Sequence, residues 1–136
     1  MENAYDLSAY LSKILRNAAQ KVAEFEDTFE PQVRIADERF GDFQANGVLP
    51  FAKRNDHNPR ALAERLLEAL PASEDWEVSL AGPGFVNFSL SADFLLRWIQ
   101  AFGSEESIKQ AGLVPESRKI VLDFTSPNTA KQMHVG

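Results

Sequence analysis

Apolar residues recur at three- and four-residue intervals along the first quarter of the chain, and this spacing predicts an amphipathic helix over roughly residues 6–28. Its apolar stripe runs from Leu7 to Phe29 and is partly aromatic and irregularly spaced. A coiled coil needs a regular heptad pattern, so packing of this helix against a sheet is the favoured interpretation. Pro31 is expected to end the helix, because proline cannot continue one.

Alternating apolar and polar residues predict strands at residues 32–37, 76–80 and 85–90. The last two flank the tight-turn sequence Gly82-Pro83-Gly84 and are expected to pair as a hairpin. A short helix is predicted at 48–54, and further helices are predicted to begin after the capping residues Asn58 and Ser91. Residues 103–117 are loosely patterned and are interpreted as a linker. These elements predict an α+β fold in which helices cover a small antiparallel sheet.

The strand predicted at 85–90 has two chemically different faces, because side chains alternate along a strand. Val86 and Phe88 belong to an apolar face that is expected to join the core. Phe85 and Asn87 share the other, solvent-leaning face, where a ring for stacking and an amide for hydrogen bonding would form a base-reading pair for RNA. The alternative is that Phe85 fills a second small core and Asn87 satisfies a buried backbone group.

The sequence FGDFQANG, which begins at Phe40, is predicted to be a turn with Phe40 and Phe43 packed inside. Asp42 is expected to hydrogen-bond within this turn, as aspartate does in many turns. Gln44 and Asn46 leave two interpretations open: they face an RNA, or they tie the turn to the hairpin. Gln44 is the stronger RNA candidate of the two.

Composition narrows the class of protein. A chain of 136 residues with 44% hydrophobic and 25% charged residues is typical of one soluble globular domain. No apolar run approaches the ~18 residues that span a membrane, and no signal-like leader is seen, so a membrane partner is not expected. The absence of cysteine excludes disulfides and thiolate zinc sites and favours a cytoplasmic location. His57 and His134 are too isolated to predict a metal site.

The net charge of −6 argues against DNA binding and against broad non-specific RNA binding, which basic side chains drive by neutralising phosphates. One basic cluster interrupts the acidic background within thirteen residues: Lys53, Arg54, Arg60 and Arg65. Reading a few bases of an RNA loop depends more on stacking and hydrogen bonding than on a broad basic field. The charge therefore predicts weak RNA affinity rather than none.

The last part of the chain carries a second motif. An apolar run at 119–124 leads into SPNTAKQMHVG, a turn that reaches His-Val-Gly where a nucleotide-binding helix would begin. This stretch resembles the start of the catalytic domain of arginyl-tRNA synthetases, class I aminoacyl-tRNA synthetases, in which a second His directly after Gly136 would complete a His-x-Gly-His signature. FGDFQANG and AGPGFVNFSL resemble the amino-terminal tRNA-binding domain of the same family, in the same order.

The resemblance implies a tRNA-recognition domain at 1–115 and, at 116–136, the first strand of an otherwise missing Rossmann-type catalytic domain. It implies a parent enzyme that joins arginine to its tRNA with ATP and Mg²⁺. This chain alone is expected to be inactive, with no cofactor of its own, and to have arginine tRNA and the parent catalytic domain as partners.

The resemblance also assigns roles to residues. Phe85 and Asn87 would contact a base of the D-loop, and the whole tRNA-binding set would be Phe85, Asn87, Gln44, Asn46, Lys53, Arg54 and Arg60. His134 would engage ATP phosphates and Lys131 would supply positive charge. The half-site for ATP and arginine would comprise Ser126, Asn128, Lys131 and His134, with Gly136 in the partial signature. The competing hypothesis is a structural or partner-interaction domain of the same enzyme, without direct base reading, whose long helix serves docking or dimer formation.

Overall fold

The computed structural model of the chain describes residues 5–25 and 28–113, together with Lys119 and Val121. Its elements are α1 (Leu7–Ala19), β1 (Val33–Ile35), a 3₁₀ turn (Glu38–Phe40), β2 (Phe43–Ala45), α2 (Val48–Arg54), α3 (Pro59–Glu68), β3 (Trp76–Ala81), β4 (Phe85–Leu90), α4 (Ala92–Phe102) and α5 (Glu105–Ala111). The predicted combination of a small antiparallel sheet with helices is confirmed. The predicted catalytic strand at 119–124 lies outside the described residues, apart from Lys119 and Val121.

Four strands form one antiparallel sheet in the order β1-β2-β4-β3. The predicted hairpin of β3 and β4 is confirmed, with Trp76 opposite Leu90 and Ala81 opposite Phe85. Strand β2 inserts between β1 and β4 and pairs with both. The prediction that FGDFQANG is only a turn is therefore wrong. The strand within it has three residues, which are too few to show a period of two.

The pairing register sorts the strand residues into two faces, because residues opposite each other in antiparallel strands point to the same side. One face is apolar and includes Phe43, Val86 and Phe88, which pack against the helices. The other face, called the polar face below, comprises Arg34, Gln44, Glu77, Ser79, Phe85, Asn87 and Ser89. Described helices pack on the apolar face, and the exposed residues of the polar face are Arg34, Glu77, Ser79 and Ser89.

The first helix is shorter than predicted, because α1 ends at Ala19. Tighter i→i+3 hydrogen bonds follow it, with Val22 N–H donating to the carbonyl of Ala19 and Phe25 N–H donating to the carbonyl of Val22. These turns carry Val22 and Phe25 back onto the core, where both are buried. Beyond Ala19, the three- and four-residue spacing of apolar residues therefore reflects burial of these residues in turns and does not indicate a helix. The apolar stripe of α1 is used inside the domain, which leaves no seam for a coiled coil.

The linker predicted at 103–117 contains an additional helix, α5. Ser104 caps it by accepting the N–H of Ser107 at 3.2 Å. Glu105 and Glu106 in its first turn and Lys109 in its last turn suit the helix dipole. No residue of α5 is buried, so the helix has no apolar stripe by which its sequence would reveal it.

Candidate nucleic-acid interface

Asp42 and Gly41 fix the start of β2 against β4. The N–H of Asp42 donates to the carbonyl of Phe88 at 2.8 Å, and its Oδ2 accepts the N–H of Leu90 at 2.7 Å. Gly41 has a φ of +106°, and a Cβ there would lie 2.6 Å from the carbonyl oxygen of Phe88. Asp42 was expected to bond within its own turn, but it bonds to β4 instead. The register that follows places Gln44 opposite Asn87.

Predictions for the neighbouring residues have mixed outcomes. Phe43 packs against the core as expected. Phe40 was expected inside, yet 43% of it is exposed, and the guanidinium of Arg39 lies 5.5 Å from its ring centre. Asn46 follows β2, its backbone N–H donates to Gln32, and its Oδ1 is buried without a hydrogen-bond partner in the described part of the chain. No hydrogen bond joins Asn46 to Gln44 or Asn87 there, so the structure does not gather these three amides into one group.

Gln44 and Asn87 form a pair at the centre of the polar face. Nε2 of Gln44 donates to Oδ1 of Asn87 at 2.8 Å. Asn87 lies on the face predicted for it, but it is only 4% exposed, so its expected solvent-leaning position is wrong. It occupies an inner strand and is flanked by paired neighbours on both sides, Gln44 and Ser79. Among the described residues Asn87 makes no side-chain bond to a backbone group either, because its partner is the side chain of Gln44.

The pair retains unused hydrogen-bonding groups. With Oδ1 of Asn87 occupied, its Nδ2 is left as a donor and Oε1 of Gln44 as an acceptor. Neither group makes another hydrogen bond among the described residues. A donor next to an acceptor is the arrangement that complements one edge of an unpaired base.

Phe85 provides an aromatic ring beside this pair. It is half-buried on the polar face, two residues before Asn87, which places the two side chains about 7 Å apart along the strand. Gly82, with a φ of +52°, lies under the ring, since a Cβ at that position would be 3.4 Å from Cδ2 of Phe85. The hairpin turn thus supports one side of the ring. Aromatic rings in such positions serve as stacking platforms for bases.

The predicted basic residues fall into two groups. Arg60 reaches the hairpin turn, where its Nη1 donates to the carbonyl of Gly82 at 3.1 Å and its Nε pairs with Glu64 at 3.3 Å. The start of α3 packs closely on the same turn, because a Cβ on Gly84 would be 2.9 Å from the carbonyl oxygen of Pro59. Lys53 and Arg54 are exposed in the last turn of α2 and form no ion pair within the described residues. No contact in this part of the chain brings them to the polar face.

Arg34 is a candidate site residue that sequence reasoning missed. It lies directly opposite Gln44 on β1 and is exposed, and its side chain makes no ion pair or hydrogen bond in the described part of the chain. The alternation in residues 32–37 already placed Arg34 on the other face of the strand from Val33 and Ile35. The missing signal was β2, without which β1 had no known neighbour.

Other candidate sites gain no support from the described residues. No group of three or more His, Cys, Asp or Glu side chains there is placed to hold a metal ion. No helix in that part is long and apolar enough to cross a membrane. The predicted half-site for ATP and arginine lies entirely outside the described residues: Ser126, Asn128, Lys131, His134 and Gly136.

Known proteins are similar in sequence to this chain over most of its length. Residues 9–90 match the family described as "Arginyl tRNA synthetase N terminal domain", which places the chain among the aminoacyl-tRNA synthetases. Arginine–tRNA ligases are similar over almost its whole length: that of Chlamydia caviae is 36% identical over 131 residues and that of Proteus mirabilis 40% over 133. The chain belongs to the arginyl-tRNA synthetase family. Each match covers 96% of this chain but only 23% of the relative's length.

Solved structures agree with this assignment. The arginyl-tRNA synthetase of Plasmodium falciparum superposes with a TM-score of 0.63 over 74% of this chain and 19% of its own, at 19% identity. That likeness shows a shared fold. The arginyl-tRNA synthetase of Thermus thermophilus superposes with a TM-score of 0.57 over 67% of this chain and 15% of its own, at 26% identity.

Proposed function

We propose that the polar face binds the tRNA for arginine and reads one unstacked base of its D-loop. The observation that carries the proposal is the hydrogen-bonded pair Gln44–Asn87 with Phe85 two residues away on the same face. The base would stack on Phe85 and set one edge against Nδ2 of Asn87 and Oε1 of Gln44. Stacking on an aromatic ring contributes about 1–3 kcal/mol per base.

The burial of Asn87 suits such a contact. A polar group that is already desolvated and oriented by a neighbour gives up little hydration or conformational freedom when a base arrives. The same burial makes an unsuitable base costly, because it would cover the Nδ2 donor without accepting from it. The pair therefore favours discrimination between bases over raw affinity. With a net charge of −6, overall affinity is expected to be weak and to fall with salt.

The activity of the longer enzyme is part of the proposal. We infer that this sequence belongs to a ligase that attaches arginine to its tRNA, as its relatives' names suggest. The resemblance of its last segment to the class I catalytic domain adds ATP and Mg²⁺ to this proposal. The residues of this chain that would serve that reaction are Ser126, Asn128, Lys131 and His134. The remaining predicted tRNA contacts, Asn46, Lys53, Arg54 and Arg60, all stay predictions, and of these Arg60 is the one bonded to the hairpin turn.

The test is an NMR titration of the 136-residue chain with arginine tRNA at low salt. Shift changes are expected at the amides of Gln44, Phe85 and Asn87, and a tRNA with a substituted D-loop base should remove them. Phe85→Ala should weaken binding about tenfold or more, which corresponds to the loss of one stacked base. Equal responses to both tRNAs, or no response at all, would overturn base reading by this face.

A second candidate, a docking domain, is favoured by one observation. Leu96 and Ile99 lie three residues apart on α4 and are 57% and 55% exposed, although α4 already buries Phe94 on its inner side. Exposed apolar pairs of this kind often mark contact surfaces. A dimer through the apolar stripe of α1 is not available, because that stripe is buried inside the domain. A stable dimer in sedimentation velocity that gives no shift changes with tRNA would favour docking over base reading.

A further inference from the structure

Charge is distributed unevenly across the polar face. Arg34 lies on the edge strand β1, and Glu77 lies on the opposite edge strand β3, where it faces Ser89. The two inner strands between them contribute the uncharged amides of Gln44 and Asn87. The face therefore has a positive edge and a negative edge with a neutral centre.

Arg34 differs from Arg16, Arg39, Arg60 and Arg65 because no carboxylate among the described residues pairs with it. Arg39 forms a two-pronged bond with Asp37, at 2.8 and 3.0 Å, and Arg60 pairs with Glu64. Arg16 and Arg65 pair with Glu30 and Glu24. Arg34 is exposed and, within residues 5–25 and 28–113, has no carboxylate partner. An unpaired guanidinium presents a planar set of donors that suits a phosphate.

The spacing of the strands places this guanidinium at a useful distance. Arg34, Gln44 and Asn87 occupy one row across β1, β2 and β4. Two strand spacings separate the Cα atoms of Arg34 and Asn87 by about 10 Å. A base held at Asn87 would thus extend its sugar and phosphate either toward Arg34 or toward Glu77. Coulombic attraction at one edge and repulsion at the other select the first direction.

We propose that Arg34 anchors the RNA backbone at this site, by binding a phosphate at or next to the nucleotide whose base meets Asn87. Glu77 keeps the backbone away from the β3 edge, so the two residues together orient the strand across the sheet. This inference rests on the proposed function, since it takes the base position from Phe85 and Asn87. Arg34 is a positioning residue in this scheme and carries no base specificity.

The experiment measures how tRNA affinity depends on salt for three variants of the 136-residue chain, two that remove one positive charge and one that keeps it. Arg34→Gln should reduce the slope of log K against log salt by about 0.7. Between about 50 and about 200 mM salt, the fold loss of affinity should therefore be about three times smaller for this variant than for the unaltered chain. Arg34→Lys should keep the slope. Lys13→Gln removes one exposed, unpaired charge from α1, on the far side of the sheet, and should leave the slope unchanged.

A second readout separates this inference from the proposed function. Arg34→Gln should weaken binding of normal and D-loop-substituted tRNA by the same factor, whereas Asn87→Ala should lower the ratio between them, because it removes the donor that meets the base edge. Glu77→Gln should raise affinity for both RNAs. If Asn87→Ala lowers the ratio but Arg34→Gln shifts the slope no more than Lys13→Gln, the Arg34 anchor is wrong and base reading stands. If Asn87→Ala leaves the ratio unchanged, the proposed function fails and the anchor fails with it.

Discussion

Gln44 on β2 and Asn87 on β4 face each other across the sheet and join their side-chain amides by a 2.8 Å hydrogen bond. Two segments that are far apart in sequence thereby share one polar group. FGDFQANG and AGPGFVNFSL are each weak signals alone, but the structure makes them neighbouring strands. The bond explains why the interpretations left open for Gln44 are not exclusive. The same side chain ties its segment to the hairpin and keeps an Oε1 acceptor that makes no hydrogen bond among the described residues.

Gln44→Ala is expected to lower both the free energy of unfolding and the affinity for arginine tRNA. It leaves Oδ1 of the buried Asn87 without a partner, which costs about 1–3 kcal/mol. It also frees the Asn87 amide to rotate away from the base. Urea unfolding and tRNA titration measure the two effects. Ser79→Ala is the control, because Ser79 is the exposed neighbour of Asn87 on β3 and should change neither quantity by a comparable amount. Identical behaviour of the two variants would mean that the bond has no role.

Asp42→Ala should destabilise the domain by about 1–2 kcal/mol, because a charged acceptor of the Leu90 N–H is lost. Asp42→Asn keeps an acceptor oxygen in place and should cost clearly less. Thermal unfolding of both variants measures the difference. Because Asp42 sets the register that brings Gln44 to Asn87, Asp42→Ala should also weaken tRNA binding. A large loss of binding with an unchanged midpoint of unfolding would instead indicate a direct contact between Asp42 and the RNA.

The sequence predicted those elements whose information is local. The hairpin was visible in the alternation of its two strands and in Gly82 and Gly84 between them, and the helix after Asn58 was visible in its cap. Strand β2 was not, because a three-residue strand is defined by its partners and not by its own pattern. The end of α1 was also hidden. Val22 and Phe25 keep helical spacing while they reach the core through turns.

The same distinction between local information and strand pairing applies to the residues of the candidate site. Phe85 and Asn87 were recognisable from one strand, because alternation assigns them to one face. Arg34 and the exact role of Gln44 depend on which strands are adjacent, which is a property of the whole sheet. The burial of Asn87 was likewise hidden, since it results from neighbours contributed by β2 and β3. Pairing between distant segments is the information that a single sequence lacks.

Gly47→Ala should be strongly destabilising, by more than about 2 kcal/mol, because an added methyl group has no space. A Cβ at Gly47 would lie 1.9 Å from the carbonyl oxygen of Glu30 and 2.8 Å from the carbonyl carbon of Pro31. Backbone cannot move aside there without breaking the bond from Gly47 N–H to Pro31. Gly112→Ala is the matched control, since its Cβ would meet nothing nearer than 3.6 Å. Equal urea midpoints for the two variants would contradict the close approach.

Tyr10 is expected to make the stability of the domain fall at alkaline pH. Burial raises the pKa of its phenol above the ordinary 10.0, the negative charge of Asp75 raises it further, and Arg97 offsets part of the shift. The unfolded chain therefore releases this proton at a lower pH than the folded chain does. The contribution is fully present below pH 10.0 and is lost as pH rises through the folded pKa.

Urea unfolding between about pH 9 and about pH 11 should show a steeper decline in stability for the unaltered chain than for Tyr10→Phe. Tyr10→Phe keeps the ring contacts with Trp76 and Phe94, at 6.3 and 5.9 Å between centres, so the two proteins should be similar near neutral pH. Parallel declines would show that Tyr10 ionises alike in both states.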